Sequence, residues 1–372
     1  MKTIYKIAVI GMLTTLSAGI ILSLQAVSEK RLHAANNFTR IFAPKAVLDK
    51  ELKLKNKSFY FAGHGPRQLY LGNYTEPLQT YLVDMELHNS RAASIELKEK
   101  NLPFRTVRIT VRPPYFYVVD NTIPALFTGQ INDWSATLKW RGTTPILRHQ
   151  VVDTCTLNFT RINDNGQTVL GSLSFCGTVS EGLRNDLLKG QQDGLFDVDG
   201  VLLYDGYTDR TAYVYHYRNQ YIIADKTLKK HFSGATIDTN SIAKIKVKHL
   251  EKQSQKKLAD QGLVVNSSSV FYKGVLFIKS ALRSKYEPQD VWERATVIDT
   301  YDVTNGHYIT SFYIYDIDGE KPGSFYIVGN KLYAIAGSSL LKYSLSVDIT
   351  KFYQDTNEIL AVSGEGRKPV KE

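Results

Sequence analysis

Histidine is the natural starting point for metal or acid–base chemistry, because neutral imidazole binds transition metals and titrates near physiological pH. The 372-residue sequence contains eight histidines, which are His33, His64, His88, His149, His216, His231, His249 and His307. No two of them lie at a metal-ligand spacing such as i, i+2 on a strand or i, i+4 on a helix. We therefore predict no metal site built from histidines, and no sequence motif indicates a cofactor.

Two Asp-x-Asp-Gly segments, Asp197–Gly200 and Asp316–Gly319, resemble the beginnings of calcium loops. Neither is followed by the acidic residue that closes an EF-hand loop, and Asp-Gly is also an ordinary hairpin turn. The Gly-x-Ser-x-Gly motif of an activated serine does not occur either. The sequence therefore assigns no metal ligand and no catalytic residue, and we interpret both acidic segments as turns.

Two groups of residues are candidates for ligand binding. The polar stretch Gly63–Arg67 separates two strand-like runs and would place His64 and Arg67 on a ligand-facing loop. A tight turn built from Gly and Pro is the alternative for this stretch. The second group alternates along a predicted strand and so shares one face, either as sheet packing or as a platform for a sugar or peptide. Its members are Tyr213, Tyr215 and Tyr217.

The elements that would carry these residues are short β-strands. Ala295–Ser346 is dense in Tyr, Ile, Val, Phe and Thr, and turn residues interrupt it every few positions. Within it, Asn305-Gly306 and Gly329-Asn330 suit tight hairpins, whose central residues need positive φ. The 23 tyrosines fit the same interpretation, and we predict an all-β fold.

Strand-like segments that could open a repeat unit recur along the chain at similar intervals. Ser58–Gly63 and Ser324–Gly329 share the pattern Ser-Phe-Tyr-x-x-Gly and begin 266 residues apart, at positions 58 and 324. Related apolar openings lie between them at Pro114–Asp120, Gly194–Asp205 and Ser269–Gly274. Intervals of about 53 residues fall in the range of propeller repeats, so we expect roughly six units of three or four strands each.

The sequence resembles the β-propeller superfamily, in particular the six-bladed TolB-like, NHL-like and YVTN-like propellers of bacterial cell envelopes. The resemblance rests on the repeated openings and on Ile298–Asp302, Asn305-Gly306 and Tyr308, a strand–turn–strand phrase typical of such repeats. It implies a β-propeller of about six blades, with five and seven left open, and a binding face at one end of the central channel. It transfers no catalytic residue, because propellers host unrelated functions.

One strand is left over at the start of the repeat array, and one is missing at its end. Val47–Leu54 precedes the first unit, while the last unit runs out of strands near Ser346. An unfinished blade would expose an edge that invites aggregation. We therefore predict that Val47–Leu54 pairs as the outer strand of the C-terminal blade.

The N-terminus indicates export. Lys2 and Lys6 precede Ile7–Val27, which carries no charge and as a helix would span about 30 Å, the thickness of a bilayer core. We predict an uncleaved transmembrane signal anchor, with a cleaved signal peptide as the alternative, and a body on the periplasmic side of a bacterial inner membrane. The predicted segments are a basic N-terminus over 1–6, the anchor over 7–27, a stem over 28–45, the propeller over 46–350 and a polar tail over 351–372.

The two cysteines, Cys155 and Cys176, predict a disulfide-bonded hairpin. The residues between them form two strand-like runs about Asn165-Gly166, the strongest two-residue hairpin signal. With that turn, Asp164 faces Gln167, and the cysteines face each other in a non-hydrogen-bonded pair with a Cα separation of about 4.5 Å. This disulfide fits an exported body, and two buried thiols in a cytosolic protein are the alternative.

Charge gives little indication of a partner. The net charge of +10 is mild against 46 basic and 36 acidic residues. Lys244, Lys246 and Lys248 alternate with apolar residues, which is typical of a protected edge strand over Ile242–Val247. No aromatic residue is interleaved with these lysines, as single-stranded nucleic-acid binding would require, so we predict no nucleic-acid partner.

The sequence predicts a non-enzymatic, membrane-anchored propeller that binds a protein or peptide partner through loops on one face. The first alternative is a propeller hydrolase or oxidoreductase, which needs carboxylates and histidines clustered on the innermost strands. The second is a carbohydrate-binding propeller, which needs exposed aromatic side chains on the top face, and Trp134, Trp140 and Trp292 are the residues to examine.

Overall fold

Short antiparallel strands make up the body of the protein. The computed structural model describes residues 2–32, 36–43, 46–99, 102–250, 255–260 and 262–354. Three helices are present in these residues, α1 (Lys2–Leu32), α2 (Gln289–Arg294) and α3 (Val347–Thr350). The strands of the first half are β1 (Val47–Lys53), β2 (Phe59–His64), β3 (Gln68–Asn73), β4 (Gln79–Asp84), β5 (Ser90–Ser94), β6 (Glu96–Leu97), β7 (Val107–Arg112), β8 (Tyr115–Asp120), β9 (Ala125–Gln130), β10 (Ser135–Arg141), β11 (Arg148–Val151), β12 (Thr156–Ile162), β13 (Thr168–Ser174) and β14 (Ser180–Arg184). Those of the second half are β15 (Gly200–Asp205), β16 (Arg210–Tyr215), β17 (Gln220–Asp225), β18 (His231–Ala235), β19 (Val247–Leu250), β20 (Gln255–Leu258), β21 (Asn266–Tyr272), β22 (Val275–Ser280), β23 (Ala295–Asp302), β24 (His307–Tyr315), β25 (Ser324–Val328), β26 (Lys331–Ala336) and β27 (Ser339–Ser344).

The strands group into four-stranded antiparallel units, which we number I to VI along the chain. Units I to V are β2–β5, β7–β10, β11–β14, β15–β18 and β21–β24, and in each of them consecutive strands pair side by side. Unit VI contains β25, β26, β27 and β1, while β6 adds to the outer strand of unit II in parallel. Strands β19 and β20 form a separate hairpin.

The hydrophobic core lies between neighbouring units. Buried clusters join units I and II, II and III, III and IV, IV and V, V and VI, and finally VI and I. Leu69 of unit I and Leu340 of unit VI meet in the last of these clusters, and both are fully buried. Each fully buried leucine contributes roughly 1.5–3 kcal/mol. The stacking therefore closes the units into a ring, and the fold is a β-propeller.

The ring is closed by a strand from the opposite end of the chain. Strand β1 pairs antiparallel with β27, in a register that runs from Val47 opposite Ser344 to Lys53 opposite Ser339. The prediction that this segment completes the C-terminal unit is confirmed. The predicted hairpin turns are present too, because Gly306 and Gly329 have φ of +73° and +59°.

The predicted disulfide is confirmed, but its predicted register is wrong by one residue. Cys155 and Cys176 are bonded with a Cα separation of 5.2 Å. Strands β12 and β13 pair Ile162 with Thr168, and the same register places Cys155 opposite Phe175, whose N–H donates to the Cys155 carbonyl. The two cysteines therefore bond from positions offset by one residue.

The offset comes from the turn between these strands. The Asn163 side-chain oxygen accepts hydrogen bonds from the backbone N–H groups of Asn165 and Gln167, and the Gln167 carbonyl accepts one from the Asn163 N–H. Gly166 has a φ of +70°. These contacts form a three-residue loop with glycine in the left-handed region, in place of the two-residue turn that Asn-Gly suggests.

The predicted edge strand over residues 242–247 is wrong for all but its last residue. Residues 242–246 lie outside the strands, and strand β19 begins at Val247. The side chains of Gln191 and Gln192 bind the backbone N–H and carbonyl of Ala243 at 2.9 and 2.6 Å. Because Ala243 and Ile245 are buried, this segment packs against the loop between β14 and β15 instead of forming an exposed edge.

The described part of the predicted stem, residues 36–43, packs against unit V. Phe38 is buried, Arg40 forms ion pairs inside the protein, and Phe42 stacks on Tyr313 with ring centroids 4.4 Å apart. Phe42 also forms a parallel bridge to strand β24. A body cut at residue 46, as the sequence suggests, would lose all of these contacts.

The N-terminal residues form helix α1, which is 31 residues long and includes the predicted anchor over residues 7–27. Within the part of the chain that the structure describes, no helix meets the length and apolarity needed to cross a membrane. The predicted transmembrane span is therefore not confirmed.

Candidate functional site

The first strand of every unit lines a central channel. Strands β2, β7, β11, β15, β21 and β25 all contribute residues to one cavity of about 590 Å³. Neighbouring first strands touch around this cavity, and β2 contacts both β7 and β25. A cavity of this volume lies within the range of ordinary ligand sites, and it is the candidate functional site.

Aromatic residues are frequent in the channel wall. Such side chains provide large contact area and, as tyrosines, a polar tip that can bind a ligand. They are Tyr60, Phe61, Tyr74, Tyr204, Tyr207, Phe271, Tyr272, Phe325 and Tyr326. Tyr207 and Tyr272 meet edge to face with ring centroids 5.0 Å apart, which holds both rings in place at the wall.

His64, predicted as a ligand-binding residue, lies in the channel at the end of β2. Its Nδ1 is 3.0 Å from the Tyr326 hydroxyl on β25. Burial, with a smaller effect of the Arg112 charge, lowers the pKa of His64, while burial raises the pKa of Tyr326 to about 12. Both side chains are therefore neutral near pH 7 and offer hydrogen bonds without charge.

Arg112 is a channel residue that sequence reasoning did not single out. Its Nη1 donates to the Val151 carbonyl at 2.8 Å and to the Val152 carbonyl, so it links β7 to the end of β11. Its guanidinium lies 5.1 Å from the Tyr204 ring centroid. A Cβ at Gly206 would lie 2.8 Å from Arg112 Nη2, so glycine there leaves room for the guanidinium.

Asp205 is the carboxylate that lines the cavity, and donors from its own turn and from the turn between β21 and β22 occupy both of its oxygens. Oδ1 accepts from the Tyr207 N–H at 3.1 Å, and Oδ2 accepts from Thr208 Oγ1 at 2.7 Å and from the Gly274 N–H at 2.8 Å. Asp205 is only 2% exposed. It therefore stabilises the turn and does not supply a free carboxylate to the channel.

The other predicted ligand-binding residues lie elsewhere. Arg67 is exposed and is not part of the channel wall. Tyr213 and Tyr215 are buried in the cluster between units III and IV, and the Tyr213 hydroxyl donates to the Val198 carbonyl at 2.7 Å. Tyr217 lies beyond the end of β16, half-buried. The structure thus brings His64 alone of these five residues into the channel.

The tryptophans and the acidic turn at Asp197 lie outside the channel wall. Trp134 is buried against Phe116, and neither Trp140 nor Trp292 contributes to the channel wall. Asp197 accepts hydrogen bonds from nearby backbone N–H groups. Among the described residues, no group of three or more His, Cys, Asp or Glu side chains could hold a metal ion.

Comparison with known proteins finds similarity in solved structures only. No protein-family model and no curated protein matches the chain. A putative exported protein from Bacteroides fragilis is 10% identical, with a TM-score of 0.47, and the match covers 84% of this chain and 99% of that one. YCF48 bound to D1 peptide is 7% identical, with a TM-score of 0.46 and coverages of 82% and 98%. The extracellular domain of a putative hybrid two component system from B. thetaiotaomicron is 9% identical, with a TM-score of 0.45 and coverages of 81% and 35%.

Proposed function

We propose that the protein is a non-enzymatic binding scaffold that engages a protein or peptide partner at the mouth of its central channel. We take units I to VI as the six blades that hold this channel. The observation that carries the proposal is the channel wall, which combines aromatic and hydrogen-bonding side chains from all six units. Tyrosine-rich concave surfaces bind peptides well, because each ring gives much contact area at a small loss of side-chain entropy.

A propeller enzyme is the second candidate, and the His64–Tyr326 hydrogen bond is the observation that favours it. A general base needs a partner whose proton it removes and a group that orients it. Asp205, the carboxylate in the cavity wall, is bound by N–H groups of its own turn and of the turn between β21 and β22, so it does not orient His64. The His64–Tyr326 pair is therefore better suited to form neutral hydrogen bonds with a ligand than to act as a general base, and we rank the enzyme second.

Site-specific photo-crosslinking tests the proposed function. The full-length chain carrying Tyr207→p-benzoylphenylalanine, irradiated in native membranes, is expected to form a covalent adduct with one polypeptide. The matched control is Phe232→p-benzoylphenylalanine on β18, because Phe232 is an aromatic residue 41% exposed on an outer strand far from the channel wall. The adduct should be absent from the control.

Two outcomes would contradict this proposal. The first is the same adduct from both positions, or none from position 207. The second is turnover of a small molecule by the purified protein that is lost in His64→Gln. Either result would favour a different use of the channel.

We also propose that the body is exported and that residues 7–27 hold it at a bacterial inner membrane. The Cys155–Cys176 disulfide supports export, since such bonds persist in oxidising compartments. The protein should remain in the membrane fraction through an alkaline carbonate wash, and neither cysteine should react with an alkylating reagent before reduction. A mature N-terminus near Val27, with the protein released from the membrane, would indicate a cleaved signal peptide. Two cysteine thiols that react before reduction would contradict export.

A further inference from the structure

A row of alternating side chains on β7 faces the inside of the ring. Thr110 and Arg112 line the central channel, and Arg108 lines an adjoining cavity of about 290 Å³. Tyr74 belongs to the walls of both cavities. Because strand residues two apart point to the same side, Arg108, Thr110 and Arg112 form one continuous row along the wall.

Aromatic rings hold the first cation of this row in place. The Arg108 guanidinium lies 3.7 Å from the Tyr74 ring centroid and 5.0 Å from that of Tyr60. Cation–π contacts orient the guanidinium and leave its N–H groups pointing outward around the ring edges. Arg108 has no ion pair with a carboxylate among the described residues.

The second cation is fixed on one side only. Arg112 uses Nη1 for the Val151 and Val152 carbonyls. Within the part of the chain that the structure describes, no protein acceptor binds its Nε or Nη2, and no carboxylate pairs with it. Asp205, the carboxylate in the same wall, accepts hydrogen bonds from its own turn and from the Gly274 N–H of unit V. The channel and the cavity beside it therefore hold two pre-oriented guanidinium groups, Arg112 and Arg108, and no carboxylate among the described residues is paired with either.

We propose that Arg108 and Arg112 bind two carboxylates of one acidic peptide segment that enters the channel along β7. This rests on the proposed function and names the chemistry of the partner. Arginine binds a carboxylate with two parallel hydrogen bonds, which gives both charge and geometry. The surrounding tyrosines would contact the peptide backbone and its apolar side chains.

The spacing of the two arginines sets the spacing of the acids. Arg108 and Arg112 are four residues apart on an extended strand, so their Cα atoms are separated by about 13 Å at roughly 3.3 Å per residue. A peptide that lies extended beside β7 has the same rise. Acidic residues at positions i and i+4 would therefore reach both arginines at once, whereas adjacent acids would reach only one.

Fluorescence anisotropy with a labelled ten-residue Gly/Ser peptide carrying Glu at i and i+4 tests this inference on the full-length protein. We expect Arg108→Gln and Arg112→Gln each to raise Kd at least tenfold, and the same peptide with adjacent Glu residues to bind at least fivefold more weakly to the unaltered protein. The matched control is Arg67→Gln, an exposed arginine outside the channel wall, which should change Kd less than twofold. Arg112→Lys keeps the charge and loses the paired hydrogen bonds, so it should fall between the unaltered protein and Arg112→Gln.

Three outcomes would overturn the inference. The first is equal weakening by Arg67→Gln, which would mean general attraction to the basic protein. The second is equal binding of a peptide with Gln in place of both Glu residues. The third is arginine-dependent binding of pyrophosphate or dextran sulfate without any binding of the Glu peptide, which would assign the site to another anion class. In each of these cases, a photo-crosslinked adduct at position 207 would still support binding of a protein or peptide partner. Failure of the acidic-peptide inference can therefore be distinguished from failure of the proposed function.

Discussion

Replacing Arg40 by alanine is expected to lower the free energy of unfolding by about 3–5 kcal/mol, because it leaves two buried carboxylates unpaired. Arg40 Nη1 is 2.8 Å from Glu287 Oε2, and Nε is 2.8 Å from Asp299 Oδ1. The side chains of Arg40 and Glu287 are 0% exposed and that of Asp299 is 5% exposed. Burial alone would lower the pKa of Arg40, but Asp299 and Glu287 raise it well above its usual value. Chemical denaturation of the full-length protein measures the loss.

Arg294→Ala is the matched control for this measurement. Arg294 also pairs with a carboxylate, Asp290, but the two side chains are 71% and 69% exposed. A solvated pair of this kind contributes little, so the control should stay within about 0.5 kcal/mol of the unaltered protein. A loss after Arg40→Ala no larger than that of the control would show that residues 36–43 do not hold the fold together.

The fold could be predicted from the sequence because its signals are local. The strand-rich stretch 295–346 and the turn at Asn305-Gly306 need only neighbouring residues, and the closing strand follows from a count of strands at the two ends. The docking of residues 36–43 has no local signal. Arg40 and Asp299 are 259 residues apart, so a polar arginine in a short linker gives no indication that it is buried.

The hairpin between the cysteines shows that a local sequence signal can predict the position of a turn without predicting its register. Asn165-Gly166 does mark the turn, but the Asn163 side chain adds a residue to the loop through its own hydrogen bonds. A one-residue change in register moves every predicted cross-strand pair. The disulfide still forms, because a Cα separation of 5.2 Å lies within the disulfide range.

The candidate site was predictable only in part. His64 belongs to an unusual Gly-His-Gly-Pro-Arg stretch, and this local composition was enough to single it out as a candidate ligand-binding residue. Arg112 ends a strand before two prolines, which by itself indicates only a strand end. The alternation Arg108-x-Thr110-x-Arg112 was the sequence signal for this row of side chains. The row faces a channel only because distant strands close the ring.

Replacing β1 by a Gly/Ser sequence of equal length is expected to lower the free energy of unfolding by about 4 kcal/mol or more. The ladder between β1 and β27 contains six residue pairs, and each lost hydrogen bond costs roughly 0.5–1.5 kcal/mol net. Asp49 also pairs with Lys331 at 2.8 Å, Glu51 accepts from Ser339 Oγ at 2.7 Å, and Leu52 packs into the cluster between units VI and I. Denaturant titration should also show earlier loss of structure in units VI and I, since Leu52 no longer packs against the cluster that they share.

The same replacement at β18 provides the control. Strand β18 is also an outer strand, with five residue pairs to β17, and all but one of its residues are exposed. Its loss should remove a similar number of backbone hydrogen bonds, but β18 does not link the two ends of the chain as β1 does, and β17, β16 and β15 still join units III and V. We therefore expect the β1 variant to be less stable than the β18 variant by about 2 kcal/mol and to associate through the exposed edge of β27. Equal stabilities in the two variants would mean that β1 contributes only local pairing and that ring closure depends on the packing of units VI and I alone.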